Sequence, residues 1–170
     1  MRVSGLFILL LLVVSIPLNA EESSGNRYFS NSETPVRSLV QSGRFIFTAG
    51  YAYKRSGQKV TLHKGYDMRI DRNFVSCWLP LTDHGLKFSD SSGTEPLQFM
   101  GNADQVKTYY DERNNVSVVA FQVYAEPNYL NIEIHVSDSG NAWLTILSND
   151  RTYFRFEGKI ERVASTKKTV

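Results

Sequence analysis

From Leu130 to Val136 every second residue is aliphatic: Leu130, Ile132, Ile134 and Val136 alternate with Asn131, Glu133 and His135. A period of two puts the aliphatic set on one face of an extended strand and the polar set on the other. The same pattern recurs along most of the chain. Phe45, Phe47 and Ala49 share one face, and Arg55-Ser56-Gly57-Gln58 reads as a turn into Val60 and Leu62. Tyr66, Met68 and Ile70 alternate with Asp67 and Arg69, and Asp71-Arg72-Asn73 reverses the chain into Phe74–Leu79. Pro80 stops that strand because it has no N–H to give a ladder. Leu97–Met100 and Val106–Glu112 read as two further strands, and Arg113-Asn114-Asn115 turns the second into Val116–Tyr124. Val116–Tyr124 is apolar on both faces, as a central, well-covered strand is. Polar turns at Ala125–Asn128, Ser137–Gly140 and Ser148–Arg151 then separate the Leu130 strand, Ala142–Leu147 and a last strand carrying Phe154, Phe156 and Ile160.

Connections this short permit hairpins and forbid the crossovers that parallel strands need. The chain is therefore mainly β, an antiparallel sheet folded as a sandwich or a barrel. One short N-terminal helix is expected between Ser32 and Gly43. Ser32 caps it, Pro35 suits its first turn, and Val36, Leu39 and Val40 have helical spacing. Ten Phe, nine Tyr and two Trp agree with a strand-rich body.

Met1–Ala20 has the three parts of a secretory signal: Arg2, an unbroken apolar run from Leu6 to Val14, and a small residue at Ala20. That run is too short for a membrane span, which takes about 20 residues. The expected organisation is a signal over 1–20, a polar lead-in and helix over 21–43, one β domain over 44–162 and a basic tail over 163–170. Cys77 is the single cysteine, so no intrachain disulfide forms, and no cysteine follows the signal to carry a lipid anchor. Nineteen Lys plus Arg against seventeen Asp plus Glu leave no basic field for nucleic acid.

The blocks Phe45–Ala49, Gly65–Ile70, Trp78-Leu79-Pro80, Pro96–Phe99, Gly140–Ile146 running into Ser148–Arg151, and Phe156–Ile160 occur in an order and spacing that resemble a known family. The resemblance is to bacterial secreted proteins of the DUF4251 family, a domain of unknown function, and covers about Phe45 to Ile160. It implies export in a Gram-negative bacterium, to the periplasm or beyond the cell. It implies no reaction and supplies no catalytic residues. The chain departs from the family at Leu81-Thr82-Asp83-His84-Gly85, where an aromatic residue and then glycine usually follow Leu-Pro.

Candidate chemistry is sparse. Asp83 and His84, with Lys87 and Asp90 close by, are the best polar cluster in the irregular stretch Thr82–Glu95. A carboxylate beside histidine can orient a general base, although a solvated loop explains the same residues. Glu133 and His135 share one strand face, but two ligands do not make a zinc site. Cys77, in an apolar strand, reads as a small buried hydrophobe. Tyr109, Tyr124 and Trp143 are either an aromatic platform for a sugar or flat ligand, or core packing, and their place in strands favours the core. No metal or cofactor is expected. The leading expectation is a non-enzymatic envelope protein binding a protein, a glycan or a small apolar ligand. A carrier with a barrel cavity and an envelope hydrolase centred on Asp83 and His84 are the alternatives.

Overall fold

The computed structural model describes residues 34–80 and 96–163. The expected signal, most of the lead-in, the Asp83–His84–Lys87 loop and the tail from 164 onward lie outside the described residues. The helix α1 spans Pro35–Gln41. Its cap is Thr34, not Ser32: the Thr34 hydroxyl accepts from the Arg37 N–H at 3.2 Å, with Thr34 at φ −66° and ψ 151°. Pro35 explains the shift, because a residue before proline is driven out of the helical region and so becomes the cap. Gly43, at φ +63°, ends the turn in the left-handed conformation expected of it. A helix this short is held by docking. Val40 is buried, Val36 and Leu39 pack on the core, and Arg37 bridges to Asp138 at 3.2 Å beneath the ring of Tyr110.

Among the described residues nine strands follow: β1 (Arg44–Tyr53), β2 (Lys59–Thr61), β3 (Asp67–Asp71), β4 (Phe74–Leu79), β5 (Leu97–Asp111), β6 (Val116–Ala125), β7 (Asn128–Ser137), β8 (Asn141–Ser148) and β9 (Tyr153–Arg162). Every pairing is antiparallel, and β9 returns to pair with β1 from Phe45 to Tyr53. That pairing closes eight strands into a barrel, which settles the choice between sandwich and barrel. β2 is an accessory: β3 pairs with Arg44–Thr48 of β1, and β2 takes over the same edge at Tyr51–Tyr53. Among the described residues no helix is long and apolar enough to cross a membrane.

The two strands expected at Leu97–Met100 and Val106–Glu112 are one strand, β5, with a bulge between Asp104 and Lys107. Gln105 sits at φ +54° there. An extra residue breaks the inside–outside alternation, so the sequence reads as a gap where the backbone runs on. β4 pairs with β5 only as far as Asn102, so beyond it β5 has a strand neighbour on one side among the described residues. The bulge and the exposed Lys107 blunt that edge against pairing with another chain.

The lumen is filled by side chains. Phe45, Phe47, Met68, Leu79, Leu97, Leu130, Ile134, Leu144, Ile146 and Phe156 are all fully buried. Eight strands make an interior just wide enough for side chains to fill, and these large residues fill it. Cys77 belongs to this core, its Sγ donating weakly to the Leu97 carbonyl at 3.7 Å. Burial pushes its thiol well above the ordinary value, with the nearby Asp67 charge adding to the shift. Cys77 is thus the buried hydrophobe expected of it.

Candidate functional site

The registers place outward-facing residues of β5 to β9 in rows across the barrel wall. One row runs Tyr109, Val118, His135, Trp143, Glu157, Tyr51. The next runs Lys107, Ala120, Glu133, Thr145, Arg155, Tyr53. A third holds Asp104, Gln122, Asn131, Leu147 and Tyr153. Beyond it Tyr124 faces Tyr129, their rings tilted at 50° with centroids 4.9 Å apart.

The aromatic candidates therefore stand on the wall. Tyr109 is 53% exposed and Tyr124 51%, which corrects their assignment to the core, and Trp143 is half-buried. Tyr109 and Trp143 share a row but are three strands apart, about 14 Å, and Tyr124 lies roughly 20 Å along β6 from that row. They do not form one small platform. Asp83, His84 and Lys87 lie outside the described residues.

Among the described residues, one cleft opens on this wall and another beside it at the β1–β9 seam. The first, of about 280 Å³, crosses β5 to β9. The bulged Gln105 and Lys107 border it on β5, Ala120 gives it a shallow floor, and Leu147 and the exposed Tyr153 close it on β8 and β9. In its middle the Gln122 Nε2 donates to Asn131 Oδ1 at 2.7 Å. One Gln122 oxygen and one Asn131 N–H₂ remain for a ligand. Lys107 and Glu133 face each other across Ala120, about 10 Å apart, so the floor has no net charge.

The second cleft, of about 310 Å³, lies at the β1–β9 seam, where Ala49, Gly50 and Gly158 form the floor and Leu62, His63 and Lys64 one wall. Beside it Glu157 accepts from the Tyr53 hydroxyl at 2.7 Å and from Lys59 Nζ at 2.8 Å. Lys59 also sits 3.9 Å above the Tyr51 ring. The Lys59 hydrogen bond, then that of Tyr53, holds the Glu157 carboxyl below the usual range, and the same bond raises Lys59. A depressed carboxylate stabilises the fold above its unfolded value and loses that contribution as pH falls through its folded value. Glu157→Gln is therefore less stable than the wild type at neutral pH, and the two melting temperatures converge below about pH 4. Thermal melts from pH 3 to 7 read this directly, and a gap that stays constant would remove the pairing as a source of stability.

Among the described residues no three His, Cys, Asp or Glu side chains are grouped to hold a metal. Glu133 and His135 bond each other at 2.6 Å, as two neighbours on an open face do. Sequence reasoning missed Gln122, Asn131 and Tyr153. They alternate with buried residues on separate strands and look like ordinary solvent-facing positions until the register brings them together.

No functionally curated protein matches the chain. The fold is similar to the crystal structure of a DUF4251 family protein from Bacteroides eggerthii, with a TM-score of 0.58 over 74% of this chain and 83% of that one. The two are 15% identical, so the likeness is one of fold. The sequence pattern of the family described as domain of unknown function (DUF4251) matches residues 29–160, and the chain belongs to that family.

Proposed function

We propose that the chain is an exported, non-enzymatic binding barrel that meets its ligand or partner on the outer wall of β5 to β9. The observation that carries this reading is the contrast between lumen and wall. Fully buried Phe45, Phe47 and Phe156 occupy the lumen, whereas the wall exposes Phe74, Trp78 and Met100 on β4 and β5 and Tyr124, Tyr129, Leu147 and Tyr153 on β6 to β9. Leu147 and Tyr153 line the cleft over Gln122 and Asn131. An exposed aromatic side chain beside polar groups, as Tyr153 is beside Gln122 and Asn131, is what recognition surfaces use. The same contrast favours the wall over a carrier cavity, since a lumen filled by side chains leaves little room for cargo. Export rests on Arg2, the Leu6–Val14 run and Ala20.

Two measurements test the proposal in the source bacterium. Sequencing of the envelope-fraction protein is expected to find a new N-terminus near Glu21. A photo-crosslinking residue in place of Tyr153 is expected to give an adduct that the same residue in place of Arg69, on the β3 wall, does not. Cytoplasmic, unprocessed protein would overturn export, and equal capture from both positions would overturn the wall assignment.

A further inference from the structure

We infer that the cleft across β5 to β9 is a saccharide site, taking an uncharged glycan laid over Gln122, Asn131 and Tyr153. The inference rests on the outer-wall reading above and adds the chemistry of the occupant.

The backbone narrows the choice first. β6, β7 and β8 are paired on both sides, so their N–H and C=O groups are engaged in ladders. A peptide cannot add a strand there, and on β5 the Gln105 bulge and Lys107 blunt the edge beyond Asn102, so recognition falls to side chains. Those side chains are mostly neutral hydrogen-bonding groups. The bond between Gln122 and Asn131 joins the two amides across adjacent strands and leaves an acceptor on Gln122 and a donor on Asn131. Neighbouring hydroxyls on a sugar ring each donate and accept, so such a pair meets them in either sense. Lys107 and Glu133 cancel across Ala120, so an anionic ligand would gain one cation and meet one carboxylate. A wholly apolar ligand would cover Gln122, Asn131 and Thr145 without satisfying them, which costs binding energy. Tyr153, 56% exposed, and Leu147 supply the apolar surface against which the C–H face of a sugar ring rests. From Gln122 to Tyr153 the row crosses three strand spacings, about 14 Å, which is more than one sugar ring.

The test uses the full mature protein and four neutral probes: maltohexaose, cellohexaose, mannohexaose and chitohexaose, with hexagalacturonate as the charged control. At least one neutral probe is expected to bind with Kd at or below about 1 mM by calorimetry, shifting the side-chain amide resonances of Gln122 and Asn131. Tyr153→Ala is expected to weaken that binding by about tenfold and Gln122→Ala by roughly fivefold, while Arg69→Ala leaves it unchanged. All three positions lie on the outer wall, and unchanged melting temperatures confirm that the variants are folded. Failure of all four neutral probes, tighter binding of hexagalacturonate, or binding indifferent to Tyr153 and Gln122 would each overturn the inference. A protein adduct from position 153 together with failure of the sugars would sink the saccharide assignment and leave the outer-wall reading standing. No adduct from position 153 together with failure of the sugars would sink both.

Discussion

Gly158→Ala is expected to destabilise the barrel by about 3 kcal/mol, the upper end of what overpacking costs. Gly158 lies on β9 opposite Ala49 of β1, in the pairing that closes the barrel. A Cβ there would overlap the Thr48 carbonyl oxygen and lie 2.9 Å from the Thr48 carbonyl carbon and 3.1 Å from Ala49 Cα. All three atoms are backbone, so no rotamer change can clear them, and the seam itself must open. Gly50, in the neighbouring bulge, provides the control. A Cβ on Gly50 meets only the Glu157 carbonyl oxygen at 3.8 Å, an ordinary contact. Gly50→Ala is expected to change stability by less than about 1 kcal/mol. Urea unfolding of the two variants separates them. Equal losses would show that β1 and β9 do not close the barrel as the register places them. The experiment bears on the second cleft too, because Gly158 is part of its floor.

Closure is also where sequence reasoning stops. The alternation at Leu130–Val136 is legible because β7 is buried on one face only, and its four aliphatic residues are all in the core. The pairing of Phe45 with Arg162 and of Tyr53 with Arg155 has no local signature. Those partners are separated by most of the domain, and each strand's own pattern serves a sandwich equally well. The misplaced tyrosines have a more specific cause. β6 buries Val116, Ser117, Val118 and Val119 in succession, so its faces cannot be told apart near its start, and Tyr124 loses its reference. Tyr109 follows the Gln105 bulge, which resets the alternation between Leu97 and the end of β5. The first cleft was hidden for a third reason: Gln122, Asn131 and Tyr153 become neighbours only through the β6–β7–β8–β9 register. Single-strand periodicity gives the face of a residue, whereas a site on a sheet depends on its cross-strand neighbours.

Phe156→Ala is expected to cost about 3–5 kcal/mol, the range for emptying a buried aromatic position. Phe156 points into the lumen between Leu144 of β8 and Ala52 of β1, and all three residues are fully buried. Ala52 is too small to swing into the vacated space, and the closed ladder limits how far either strand can move inward, so a cavity remains. Tyr153→Ala, three residues earlier on the outward face, removes a ring of similar size from a position 56% exposed. Its cost is expected to stay within about 0.5 kcal/mol. An apolar cavity left by Phe156→Ala would stay dry and accept benzene. Benzene should then raise the melting temperature of Phe156→Ala, because it binds the folded state alone, and leave the wild type unchanged. The comparison decides between a packed lumen and a carrier. Stabilisation of the wild type as large as that of the variant would mean that the native barrel already encloses space for an apolar guest, and the binding surface would have to be sought inside the wall instead of on it.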